Sequence, residues 1–107
     1  MNVETDNDLK LTIALAALES VIDPEIQLNI VDLGLIYKIT FNEQNKVVHC
    51  LMTLTTQFCP MGESIKIETE QTLKATFPDV DIIVELIFDP PWNHERISEE
   101  GQIFLNS

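Results

Sequence analysis

Three stretches of two-residue alternation limit what this chain can fold into. Leu35, Tyr37, Ile39 and Phe41 share one parity, with Lys38, Thr40 and Asn42 on the other. Val48, Cys50, Met52 and Leu54 repeat the pattern opposite His49 and Thr53, and Val80, Ile82, Val84, Leu86 and Phe88 repeat it opposite Asp81 and Glu85. Successive side chains of a strand point to opposite faces, so each stretch is a strand with one buried face. Asn42 to Lys46 is turn-like, and the first two strands therefore read as a hairpin.

The period changes to that of a helix in two places. Leu11, Ala14, Leu15, Leu18, Val21 and Ile22 predict a helix over about 8–22, with Asp8 or Asp6 as N-cap and Pro24 as its stop. Between the second and third strands a helix is expected from about Pro60 to Phe77, ended by Pro78. Its inward stripe is Met61, Ile65, Thr69, Thr72, Leu73 and Thr76, and Glu70 and Lys74 are spaced for an ion pair. A short terminal helix follows Ser98 as N-cap, although Gly101 weakens it.

The order α-β-β-α-β plus a C-terminal helix predicts an α+β two-layer sandwich, with the helices on one face of a small mixed sheet. The far face holds Ile36, Leu51, Ile83 and Ile87, which calls for cover from the chain's own tail or from another chain, a homodimer included. Residues 1–107 suffice for one domain.

Charge and cysteine usage narrow the function. With 18 acidic and 6 basic residues and a net charge of −12, the chain lacks the clustered cations that phosphate backbones require, which argues against nucleic acid. No apolar run reaches membrane-spanning length, and the polar, acidic start lacks the features of a signal peptide, so a cytoplasmic protein is expected. That compartment disfavours a Cys50–Cys59 disulfide. Cys50 lies on an apolar strand face and reads as an inert core residue.

Cys59 lies between Phe58 and Pro60. If Pro60 opens the helix, Cys59 is its N-cap, where the helix dipole favours the thiolate. Taken alone it is either a reactive thiol or an incidental loop cysteine. A thiol enzyme would need His49 or His94 as its base, and His49 reads as a solvated strand residue. Zinc-type Cys-x-x-Cys or His-x-x-x-His pairs do not occur. Trp92, in "DPPW", is either a core plug or a contact residue in a stiffened loop in which one X–Pro bond can be cis. If the second and third strands are parallel, their ends place Cys59 and Trp92 in one neighbourhood.

"VIDPEIQLNIVDLGLIY" (Val21 to Tyr37), "MTLTTQFCPMG" (Met52 to Gly62) and "DPPWNHERISEEG" (Asp89 to Gly101) together resemble the signature blocks of the MIP18/SufT/PaaD-like family. The resemblance runs from about Leu11 to Leu105 and is nearest to stand-alone bacterial SufT-like members. It implies an iron–sulfur-cluster-assembly-type fold and a non-enzymatic carrier, targeting or assembly role in maturing iron–sulfur proteins. It also implies a functional thiol at Cys59, with candidate neighbours Asp23, Glu25, Asp32, Thr56, Asp89 and Trp92. The implied partners are the assembly machinery and recipient apoproteins. One thiol does not supply the four ligands a cluster normally takes, so no stably bound cofactor is expected, only a transient iron–sulfur cluster held through Cys59. Gln57–Phe58 departs from the small or proline-containing pair common in the family, and a role for His94 is not inherited. The alternatives are a PaaD-like accessory subunit of a multicomponent oxygenase and a thiol hydrolase or transferase.

Overall fold

The computed structural model describes residues 3–58 and 60–106. The elements run β1 (Glu4–Thr5), α1 (Asp8–Leu18), β2 (Ile22–Asp23), β3 (Leu28–Asn29), β4 (Ile36–Asn42), β5 (Val47–Met52), α2 (Gly62–Thr76), β6 (Asp81–Leu86), a 3-10 turn (His94–Arg96) and α3 (Glu99–Leu105). The main sheet has the order β1-β4-β5-β6, and β2 and β3 form a separate small hairpin. As expected, β4 and β5 are antiparallel, while β5 and β6 are parallel across the α2 crossover, with Met52 opposite Leu86. Ala14 and Leu18 of α1 and Ile65 and Leu73 of α2 join Ile39, Phe41, Val48, Cys50, Met52 and Val84 in one core.

The tight turn before β5 rests on an Asx contact, the Asn45 N–H donating to Asn42 Oδ1 at 3.0 Å, and on Lys46 at φ +55. The threonine-rich stripe of α2 is compatible with burial because its hydroxyls turn back to their own helix. Thr69 Oγ1 donates to the Ile65 carbonyl and Thr76 Oγ1 to that of Thr72, each at 2.8 Å.

Several local expectations change. The clean alternation of the first strand is broken by a bulge: Ile36 pairs with Met52 but Lys38 with Leu51. Tyr37 is the extra residue, and an insertion of one residue reverses the facing of everything before it. Ile36 is thus fully buried in the core instead of lying on the far face. Tyr37 moves to the far face, where the Arg96 guanidinium stacks on its ring at 4.1 Å and its hydroxyl donates to the Pro90 carbonyl at 2.8 Å. The chain's own tail therefore covers part of that face, and Ile83 stays half exposed.

Helix α1 stops at Leu18, well before Pro24, and its N-cap is Asn7, whose side chain accepts from the Lys10 N–H. Ser20 and Val21 bond back to the Ala17 and Leu18 carbonyls, and the Ile30 N–H then captures the Val21 carbonyl at 2.9 Å. Burial of Val21, Leu28, Ile30, Val31 and Leu33 draws this segment into the small hairpin, overriding its helical period. Asp6 caps no helix; its Oδ1 accepts from the Phe41 N–H at 2.9 Å, beside the short parallel strand β1. The anticipated Glu70–Lys74 pair is replaced by Lys66–Glu70 at 3.8 Å, and Lys74 Nζ donates to the Val80 carbonyl. Helix α2 begins at Gly62 with Met61 as N-cap, its first helical bond running from the Ile65 N–H to the Met61 carbonyl. Pro60 is an exposed turn residue and Met61 is half exposed, so neither belongs to the buried stripe.

Candidate functional site

Because β5 and β6 are parallel, both run into their following loops at one end of the sheet, and antiparallel β4 starts there. The three motif blocks leave or enter the sheet at this end. They are joined through the segment Leu33 to Leu35. Trp92 Nε1 donates to the Leu33 carbonyl at 2.6 Å, Arg96 Nε to the Gly34 carbonyl at 2.8 Å, and the Thr53 N–H to the Leu35 carbonyl at 2.8 Å. Gly34 has φ +76, and a Cβ there would collide with the Arg96 backbone, so only glycine permits this approach.

The acids of the first block serve the backbone. Asp23 is 2% exposed, and its Oδ1 accepts from the N–H groups of Glu25 (2.9 Å) and Ile26 (3.3 Å). This Asx turn shapes the tip of the β2–β3 hairpin, where Gln27 adopts φ +65. Asp32 fastens the loop to α3. Its Oδ2 accepts from Asn29 Nδ2 at 2.8 Å and its Oδ1 from Ser98 Oγ at 2.9 Å, while the Ser98 N–H donates to the Asp32 carbonyl. Ser98 is the N-cap of α3 as expected, accepting from the Gly101 N–H at 3.0 Å. Gly101 is buried where a Cβ would press on Ile97 and Leu28, which explains a glycine inside that helix.

Trp92 is half-buried and held by its indole bond, so it is an anchor of the tail, with the His94 ring 5.2 Å away. The Asp89–Pro90 bond is cis. Glu25 and Asp89 are exposed, and their carboxylates have no partner among the described residues. Thr56 Oγ1 accepts from the Phe58 N–H at 3.3 Å, turning the chain just before position 59.

Cys59 itself lies outside the described residues. Its neighbours Gln57, Phe58, Pro60 and Met61 are exposed, Phe58 at 88%. The expectation that position 59 caps α2 is corrected by the start of that helix, since Met61 holds the cap and makes no side-chain cap bond. Cys50 is fully buried and free, and burial pushes its thiol up to about 12. His49 Nε2 sits 3.1 Å from Glu85 Oε1 on the far face of the sheet, within β5 and not at the loop end.

Among the described residues no group of three or more His, Cys, Asp or Glu side chains could hold a metal. Asn29, Gly34, Tyr37 and Arg96, which organise this end of the molecule, went unrecognised from sequence. The available signals were the glycine of "DLG" and the chain's only arginine.

A family profile described as "Iron-sulfur cluster assembly protein" matches residues 12–85. The Fe-S protein maturation auxiliary factor YitW of Bacillus subtilis is 38% identical over 92 residues, 85% of this chain and 88% of the relative. The corresponding factor SufT of Staphylococcus aureus is 40% identical over 86 residues, 79% of this chain and 96% of the relative. A domain of unknown function from Bacillus anthracis superposes with a TM-score of 0.83 at 36% identity, covering 94% of this chain and 98% of the other. A conserved hypothetical protein of Thermotoga maritima gives 0.75 at 41%, covering 90% and 93%.

Proposed function

The chain belongs to the iron–sulfur cluster assembly protein family, and we propose that it serves as an auxiliary factor in maturing iron–sulfur proteins, acting through the Cys59 thiol. Relatives that carry this role in their names align over most of both chains. The observation that carries the reading is the convergence of the three motif blocks on one sheet end, with Trp92 and Arg96 holding the Leu33–Gly34 backbone and Asp32 tying the same loop to Ser98. Such a platform offers its partners a fixed end with an exposed loop around position 59.

The cluster is cargo. A resident cluster takes four protein ligands as a rule, and Cys50 is unsuited to be one because it is buried and its thiol is held protonated. The thiol acts by transient ligation or by covalent contact with a partner, without turnover of a substrate. Partners are then the assembly machinery and recipient apoproteins, met in the cytoplasm. No helix among the described residues is long and apolar enough to cross a membrane.

Cys59→Ser tests this. Met61 holds the α2 cap and serine is close to cysteine in size, so folding and melting should be unchanged. In a deletion strain the variant should fail to restore aconitase activity while aconitase polypeptide stays at its normal level. Anaerobically purified wild-type protein should carry far less than one cluster per chain by iron and sulfide analysis. Full rescue by the folded variant would remove the thiol from the mechanism.

A further inference from the structure

Helix α1 is apolar on two opposite sides. Ala14 and Leu18, flanked by half-buried Leu11 and Leu15, face the core. Leu9, Ile13 and Ala16, at i, i+4 and i+7, form a second stripe on the reverse side, with Leu9 73% and Ile13 46% exposed. A helix that is hydrophobic all round is normally buried all round. The charges beside this stripe are one-sided. Asp8 and Glu19 lie on one flank at the two ends of the helix, roughly 16 Å apart at 1.5 Å rise per residue. Neither carboxylate has an ion-pair partner among the described residues. Glu19 is also the C-cap of a helix without a basic residue in its last turn, the wrong sign for that end of the dipole. Lys10, on the other flank, is already engaged with Glu43 at 2.8 Å.

We propose that the Leu9–Ile13–Ala16 face of α1 is a docking site for an amphipathic helix of a partner protein, its aliphatic stripe bounded by lysine or arginine at the spacing of Asp8 and Glu19. A second copy of this chain fits poorly. Antiparallel pairing sets Asp8 against Glu19 of the mate, parallel pairing sets like residue against like, and each chain carries −12. The site is independent of the thiol and of the role assigned to it.

The test uses the full chain labelled with nitrogen-15 and a synthetic helical peptide that bears a leucine stripe bounded by lysines at that spacing. A twin peptide has glutamates in place of the lysines. The lysine peptide should perturb amide signals confined to residues 8–20 and bind Cys59→Ser equally well. Asp8→Asn with Glu19→Gln should weaken it about tenfold, as loss of two exposed ion pairs allows. Leu9→Gln with Ile13→Gln should abolish binding. Ala16→Arg, which adds bulk and like charge to the stripe without touching the core, should do the same in a chain of unchanged melting temperature. Equal binding of the glutamate twin, no binding, or perturbations elsewhere would overturn the proposal. So would a wild-type dimer in sedimentation that Ala16→Arg dissolves, since the occupant would then be a second copy.

Discussion

Replacing Gly34 by alanine should damage this molecule more than its small size suggests. The residue has φ +76, a conformation that costs an L-amino acid roughly 1–2 kcal/mol. A methyl group there would collide with the Arg96 carbonyl oxygen and lie 2.7 Å from Arg96 Cβ and 2.8 Å from its carbonyl carbon. None of the three is the far end of a flexible side chain, so relief requires the tail to move away from the loop. That movement breaks the 2.8 Å bond from Arg96 Nε to the Gly34 carbonyl, a charge-assisted contact whose loss costs about 1.5–3 kcal/mol. The combined loss of about 2.5–5 kcal/mol is a large share of the ~5–15 kcal/mol that stabilises a typical domain. Urea titration followed by the fluorescence of Trp92, the only tryptophan, reads it directly. Gly34→Asn separates the causes. Asparagine tolerates the left-handed region but still carries a Cβ, so it should be nearly as destabilising as alanine if the collision dominates. A Gly34→Ala variant within about 1 kcal/mol of wild type would refute the argument, because neither the positive φ nor the close approach could then be required.

Further outcomes follow from single contacts. Asp32→Ala should cost about 1–3 kcal/mol by orphaning Asn29 Nδ2 and Ser98 Oγ, and hydrogen exchange should speed up selectively in α3. Trp92→Phe keeps the ring packing but loses the bond to the Leu33 carbonyl, a loss of about 0.5–1.5 kcal/mol in urea titration. Cys50 should resist thiol reagents until the chain unfolds, because it is fully buried and its thiol is pushed up to about 12. The same thiol makes stability depend on alkaline pH. Its folded pKa lies above the ordinary 9.0, so its contribution is intact below pH 9 and is lost between about 9 and 12, where only the unfolded chain releases the proton. The stability difference between wild type and Cys50→Ala should shrink across that window by up to ~1.4 kcal/mol per pH unit, and a pH-independent difference would contradict the burial argument.

Local periodicity was enough to locate β5, β6 and α2 within a few residues and to place Cys50 in the core, because those patterns depend on neighbours two to four positions away. The Ser98 cap was legible for the same reason, its bond to the Gly101 N–H spanning three residues. If β5 and β6 are parallel, the order of elements also brings the second and third motif blocks to one end, whereas the place of the first block beside them is not contained in that order. The remainder was set by partners far along the chain. Whether Ile36 or Tyr37 faces the core depends on the bulge that pairs β4 with β5, and no alternation within β4 alone encodes that insertion. The end of α1 depends on the Ile30 N–H reaching the Val21 carbonyl and on burial of the hairpin's aliphatics. Asp32 and Trp92 look in sequence like free functional groups, and nothing near Arg96 in the chain announces its role. The hydrogen bonds of these three reach across 66, 59 and 62 positions to Ser98, Leu33 and Gly34, and only the folded chain brings those donors and acceptors within 3 Å.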